Sequence, residues 1–589
     1  MTSPTYTAIT FAPVQGFIEK SRKLRDLYGS SYLLSFLSWA VCYRAQLDGY
    51  RVISPALIKV AQGLPNQIVI QGPFPEDHAR EAFNAAWSIV VNTCREWIEQ
   101  RVEAPYQWQR DWNHWANYAW EFFWVQGEAG ESVSDVRQRL NAKKRPRGWT
   151  GVNWTGESST LSGADAVAWP KLGAINPKQA RYQDQKGEIQ AFYQALGQHL
   201  EAFIDPNEEL SVPELVKRIV THETVANTVI AAYEAHLENH LQASLEDQQK
   251  HDLIAIAREL NPRTFRDLNR KRTAGNTEPK YWTGWFQGDG DGAGEYLKTL
   301  ATDPDQEVDR LHHFSDTMRQ WGLELKHRQG EILGGNGRMI YAGGDDFLGV
   351  LYRPNDQIQP TECWDFFSTF DSRIWRGLRD NDGNPLPPKP IGVSVGFVWA
   401  APNVPQRDVL QHCREAERSA KQQGKDRIAF RIVFNGGNTL EWACPWWALE
   451  AGHIDISQNQ LGLDPEQAWL HFYNDVAALE ARHGFGGKQD GPIDVAAGLF
   501  RLYFGATNPV IDYVHWWNPD PIQGAPSGRV GILGNPQRFG LTSVPGSFSD
   551  IPPERMLRVR RAFNQWVISL AKVGFHLCRP VRQPQPVAS

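Results

Sequence analysis

Two stretches of this chain place carboxylates where chemistry could use them. RMIYAGGDDFLGVLY, Arg338 to Tyr352, sets β-rich runs on either side of Gly343-Gly344-Asp345-Asp346. Glycines allow a tight turn, so the pattern predicts a hairpin with two neighbouring carboxylates at its tip. Adjacent carboxylates repel, and water or a cation must neutralise them. Oxygen donors of this kind suit Mg2+ or Mn2+. A solvated turn is the plainer alternative, because Asp and Gly are ordinary turn residues. The second stretch, YWTGWFQGDGDGAGEYLKTL, puts Asp289, Gly290 and Asp291 at the end of an aromatic strand, just before a helix. If that strand neighbours the hairpin in one sheet, Asp289, Asp345 and Asp346 can converge on two metal ions, the layout for in-line nucleotidyl transfer. One ion would activate a ribose 3′-hydroxyl and the other would hold the triphosphate and the leaving pyrophosphate. An EF-hand loop fits Asp289 and Asp291 but not Ala293 at its third ligand position or Leu300 at its last. A third stretch, REAERSAKQQGKDRIAFRIVF, predicts a helix running into a strand. Its spacing lets Lys421, Lys425 or Arg427 reach phosphates, although basic helix ends also serve as solvated dipole partners.

The elements that must position these residues follow from hydropathy. Residues 5–127 alternate as strand (TYTAITFA), helix (from Lys23 through YLLSFLSWAVCYRAQL), strands (YRVISP, NQIVI), helix (EDHAREAFNAAWSIVVNTCREWIEQRV) and strand (YAWEFFWV). This βαββαβ order predicts a ferredoxin-like antiparallel sheet with helices on one face. Residues 128–182, rich in Gly, Ser, Thr and Trp, predict an irregular insertion. Helical spacing dominates 183–280, a mixed pattern occupies 281–450, and 451–589 is mainly helical with a frayed tail. The expected fold class is therefore α+β multidomain: a ferredoxin-like domain and a mixed region, separated and followed by mainly helical ones, the mixed region becoming a second ferredoxin-like domain only through the resemblance described below.

Composition narrows the function classes. The chain has 589 residues, 41% hydrophobic and 22% charged, which argues against wholesale disorder. A net charge of −6 is unusual for a free-standing nucleic-acid binder, so nucleic acid would be met through a local patch or a shared complex. No apolar run reaches the ~18 residues of a membrane span. Six cysteines without a CxxC pair point to a reducing cytoplasm and away from disulfides or thiolate zinc. The 24 tryptophans read mainly as core filling.

Several other patterns carry less. His251-Asp252, with His236 and His240 upstream, could suggest an HD metal cluster but fits a polar helix better. His222-Glu223 lacks the second histidine of HExxH, and GFGGKQ at Gly484 lacks the Ser or Thr of a P-loop. MLRVRRAFNQW, Met556 to Trp566, is a basic amphipathic helix that could touch RNA, a neighbouring subunit or only solvent.

The order strand–DGDG, hairpin GGDD and AKQQGKD resembles the palm domain shared by polymerases and nucleotide cyclases. FAPVQGFIEKSRKLRDLYGSSYLLSFL (Phe11 to Leu37) and GLPNQIVI (Gly63 to Ile70) resemble the first, degenerate palm of the large subunit of Cmr-type, type III-B-like, CRISPR–Cas effector complexes. HDLIAIARELNPRTF (His251 to Phe265) is similar to that family's segment before the second palm, and GVSVGFV (Gly392 to Val398) to its strand after the hairpin. The resemblance concentrates in both palms and thins over 128–240 and beyond 450.

The resemblance implies binding of ATP with Mg2+ or Mn2+ at the second palm and synthesis of cyclic oligoadenylate. Asp289, Asp345 and Asp346 would be the metal-site carboxylates. Gly343, Gly344 and Gly290 would allow close approach of the nucleotide, and Lys421 would contact phosphate. The first palm, reading GLPNQIV in place of an acidic hairpin, would be silent. Partners would be the other subunits, guide RNA and target RNA, with target pairing switching synthesis on and no membrane involved. Lys20, Arg22, Lys23 and Arg25 could contact the RNA 5′ region. Three departures stand out. The first palm begins near residue 5, so no HD nuclease activity is expected. NWTGESSTLSGADAV lacks the family's cysteine zinc site, so no zinc is expected. AAPNVPQRDVL lacks the usual His and basic residue. A subunit that binds ATP or metal and RNA without making product, and a stand-alone diguanylate-type cyclase, are the competing readings.

Overall fold

The computed structural model describes residues 4–21, 23–58, 63–145, 156–174, 181–200, 203–204, 207–259, 281–353, 356–517 and 531–580. Arg22, the end of HDLIAIARELNPRTF and the last nine residues of the tail lie outside the described residues. The chain divides into two compact units: Met1–Asn269 with Gly294–Leu323 and Tyr341–Gly344, and Arg270–Ala293 with Glu324–Ile340 and Asp345–Ser589.

The first unit carries strands β1 (Tyr6–Ala12), β2 (Arg51–Ser54), β3 (Gln67–Gln71) and β4 (Glu121–Gln126). Their sheet order is β2-β3-β1-β4, with every pairing antiparallel. Helices Leu24–Leu47 and Glu76–Glu99 complete the expected βαββαβ order. Ile9, Phe11, Ile68 and Ile70 join these helices in one large core.

Three expectations fail here. Helices were expected on one face only, yet β1 is buried along its whole length. On its other face Tyr6, Ala8, Val69, Phe123 and Val125 share a core with Val133, Val136, Leu140, Leu300 and Leu311. The first three of those belong to helix Val133–Lys144, so residues 128–182 are not simply irregular. Val133, Val136 and Leu140 recur at helical spacing. Glu307 accepts from the backbone N–H of Val133 (3.0 Å) and Ser134 (2.8 Å), a carboxylate at the positive helix end. The strand expected from YAWEFFWV also starts late, at Glu121, because helix Gln109–Tyr118 precedes it and buries Trp112 against Trp108.

Helices Tyr182–Leu200, Val212–Ile219, Glu223–Leu241 and Asp247–Glu259 bear out the helical pattern after residue 182. Val212–Ile219 is buried on every side. Its Arg218 pairs with Asp26 at 2.6 Å and Glu208 at 3.1 Å, and Lys217 donates to the Phe17 carbonyl at 2.5 Å. The basic cluster is tied into the same network. Lys20 pairs with Asp165 at 2.9 Å, Lys23 pairs with Glu208, and Arg25 is buried over the Phe203 ring. Buried acids attract these cations inward.

The second unit is built on β5 (Thr283–Asp291), β6 (Gly337–Ala342), β7 (Asp346–Leu351), β8 (Gly392–Ala400), β9 (Arg427–Val433) and β10 (Thr439–Pro445). The sheet runs β10-β9-β8-β5-β7-β6. Strands β8 and β9 are parallel, and helix Gln406–Gln422 joins them as a crossover. Helices Pro465–Ala481, Asp494–Phe504 and Pro553–Leu577 supply most of the regular structure after residue 451. Trp285, Trp375, Trp442, Trp446 and Trp469 are fully buried, which makes them core residues. No helix among the described residues is long and apolar enough to cross a membrane.

Candidate functional site

The acidic hairpin and the DGDG strand end side by side. Antiparallel pairing of β5 with β7 sets Asp289 opposite Asp346, and the Gly290 N–H donates to the Asp345 carbonyl at 2.8 Å. A Cβ on Gly290 would lie 2.9 Å from the Asp345 Cβ and 2.7 Å from Ile391 Cδ1, so only glycine lets the strand end approach the tip. Gly344 holds φ at +132°, open to glycine and strained for other residues. Arg319 donates to the Gly343 carbonyl at 3.4 Å.

On the other side of β5, β8 aligns Ser394 with Asp289. Two residues along β8, Gly396 lies beneath helix Gln406–Gln422; a Cβ there would be 2.2 Å from the Glu417 nitrogen and 2.6 Å from the Cys413 carbonyl. The missing side chain lets the helix lie on the strand. One turn further on, Lys421 ion-pairs with Asp289, and its Nζ lies 3.0 Å from Glu417 Oε1. Lys421 therefore lies beside Asp289, with two carboxylates as its partners.

The charges constrain one another. Burial, and then the nearby Asp289 charge, raises the Asp345 carboxyl above the ordinary carboxylate range. Burial also raises Glu417, against the pull of Lys421. For Lys421 burial works downward, but the Asp289 charge and hydrogen bond, reinforced by Glu417, outweigh it and hold the ammonium above its usual value. Burial raises Asp291 as well. Its carboxylate accepts from Ser394 Oγ at 2.9 Å and from the Asp426 N–H at 2.8 Å, which gives it a structural role tying β5 to β8 and the start of β9.

Among the described residues, no three His, Cys, Asp or Glu side chains form a ready-made metal cage. The donors at the hairpin still fit Mg2+ or Mn2+ in kind: Asp289, Asp345 and Asp346 offer only oxygen. The Asp289 charge is near enough to help raise the Asp345 carboxyl, and Lys421 pairs with Asp289 from the helix.

Arg427, a candidate phosphate contact, is fully buried and donates to the carbonyls of Gly531 (2.9 Å) and Ile532 (3.3 Å), so it is structural. His236 and His240 stack on each other at 4.5 Å, and Asp252 accepts from Gln248. Sequence inspection overlooked Glu417, Ser394, Asp426 and Gly396. Only Glu417 carried a local signal, its i,i+4 spacing from Lys421.

A sheet with an acidic hairpin beside an acidic strand end, roofed by a basic-ended helix, defines a palm-type protein with a second, ferredoxin-like unit. Family models carry this further. Residues 6–103 match CRISPR-associated protein Cmr2, N-terminal, and residues 282–429 match the second palm domain of Cas10/Cmr2. Both matches fall where the resemblance to a Cmr2-type large subunit was expected, and in the expected order. None of the curated proteins matches it. Solved structures similar to it include a type III-B Cmr-beta complex in the apo state, at 14% identity over 75% of this chain and 70% of that one, TM-score 0.45. Cmr-beta bound to cognate target RNA matches at 12% identity over 81% and 77%, TM-score 0.46. A Csm1-Csm4 cassette in complex with cA4 matches at 12% identity over 83% and 64%, TM-score 0.37.

Proposed function

We propose that this chain is the large subunit of a type III CRISPR effector complex, working in the cytoplasm, and that its second palm joins ATP into cyclic oligoadenylate when target RNA pairs with the guide. The observation that carries this reading is the register of β5 on β7, which pairs Asp289 with Asp346 and bonds Gly290 to Asp345. The family match over 282–429 supports it. Asp289, Asp345 and Asp346 would hold Mg2+ or Mn2+, which when bound supplies charge neutralisation and an acidified hydroxyl. Gly343, Gly344 and Gly290 would allow close approach of a nucleotide. Lys421 offers a cation to phosphate from the helix side. Ser394 and the Asp426 N–H fix Asp291, and through it the end of β5. Phosphoryl transfer depends on such positioning more than on covalent help from the protein.

The test uses the assembled complex, with its other subunits and guide RNA, given matching target RNA, Mg2+ and labelled ATP. Oligoadenylate appearing only with target supports the reading. Target binding without product instead supports a silent scaffold that binds ATP, metal and RNA.

A further inference from the structure

We propose that Lys421 is a resident counter-ion that competes with a divalent cation for Asp289, and that Glu417 receives the ammonium when the cation arrives. This rests on the reading of Asp289 as a cation-binding carboxylate.

The ammonium bridges two unlike carboxylates. The Asp289 side chain is 36% exposed, on the open side of the site, whereas Glu417 is 14% exposed, beneath the helix. Lys421 and Glu417 share the helix, one turn apart, and Gly396 clamps that helix to β8 at the Glu417 nitrogen. Lys421 already contacts both acids, so the ammonium passes from one to the other without the helix leaving the strand.

Charge decides the exchange. With the ammonium shared, Asp289 and Glu417 have one positive charge between them, and Asp345 adds a further acidic group facing Asp289. A divalent ion held by Asp289, Asp345 and Asp346 would offset two of their three charges, and Lys421 on Glu417 would offset the remaining acid of the helix. An ammonium left on Asp289 beside the ion would place like charges within a few ångströms in a partly desolvated site, where repulsion is strong. Lys421 must therefore move when the cation binds. No proton is transferred and no bond is made.

The test is titration of the full-length chain, without nucleotide, with Mn2+ alone, following the free-ion EPR signal. Lys421→Gln removes the competitor, and Mn2+ should bind about two- to fivefold tighter, the range expected of a partly exposed ion pair. Glu417→Gln strands the ammonium on Asp289 and should weaken binding by a similar factor. The double variant should match Lys421→Gln, because Glu417 acts only through Lys421. Opposite shifts from the two single changes cannot come from general unfolding. Mn2+ binding that is unchanged or weaker in Lys421→Gln overturns the competition. A double variant weaker than Lys421→Gln overturns the role of Glu417 and makes it a ligand. Asp289→Asn separates the levels: if it binds Mn2+ as wild type does, the site reading itself fails, and the proposal with it.

Discussion

Gly396→Ala tests how the site is assembled without assuming what it does. The added Cβ would lie 2.2 Å from the Glu417 nitrogen, 2.6 Å from the Cys413 carbonyl and 2.8 Å from the Ala416 carbonyl carbon. All three are backbone atoms, so no side chain can swing aside. Carbon contacts settle near 3.5 Å, so helix Gln406–Gln422 must retreat by about 1 Å or the clash must stand. Overpacking of this kind destabilises by about 1–3 kcal/mol. In a unit of this size each kcal/mol lowers the unfolding temperature by roughly 2–4 °C. A retreat also carries Lys421 and Glu417 away from Asp289, and a misplacement of about 1 Å can slow a positioned reaction on the order of a hundredfold. Differential scanning calorimetry reads the first effect, and ATP turnover by the assembled complex reads the second. Gly498→Ala, in helix Asp494–Phe504 with no atom within 4 Å of the new Cβ, is the control. It should stabilise by about 0.5–1 kcal/mol. Unfolding and turnover of Gly396→Ala at wild-type levels would refute the close seating of the helix.

Other outcomes follow from the same structure. Burial raises Glu450 to about 7, well above the ordinary glutamate range, so the folded state disfavours its charged form. Stability from this group is fully present below the unfolded value and is lost as pH rises towards 7. Glu450→Gln should therefore stabilise the fold at pH 8 by on the order of 1 kcal/mol after allowing for partial exposure, read as a raised unfolding temperature, with little gain at pH 4. An equal gain at both pH values would contradict this. In the first unit, Arg218→Ala leaves Asp26 charged and buried, and denaturant unfolding should show a loss of about 3–5 kcal/mol. Pairing Arg218→Met with Asp26→Leu should recover most of it. Gly290→Ala forces β5 from the hairpin tip and should weaken Mn2+ binding while leaving the first unit's unfolding unchanged.

The parts of this protein legible in the sequence are those whose causes are local. The GGDD turn announces itself through glycine chemistry, and the strand before Asp289 through its aromatic run. The helical crossover ending at Lys421 shows in its periodicity. The partners of these elements were not legible. Asp289 meets Lys421 across 132 residues, and nothing near either one predicts the pairing. Ser394 and Gly396 sit in GVSVGFV, which reads only as a strand; their roles come from what β5 and the helix place beside them. The acids that pair with the basic run from Lys20 to Arg25, Asp165 and Glu208, are remote in sequence, so the ion pairs were not legible there. Helix Val133–Lys144 was hidden by the polar composition around it, although three apolar residues at the right spacing suffice to cover the sheet.

The central claim is that Asp345, Asp346 and Asp289 act together in nucleotidyl transfer. Its most direct test is mass spectrometry of the products made from ATP by the complex with matching target RNA, comparing wild type with the variant combining Asp345→Ala and Asp346→Ala. The account predicts cyclic oligoadenylate from the wild type, and none from the variant although it assembles and binds target equally well. Wild-type levels of product from the variant would contradict it.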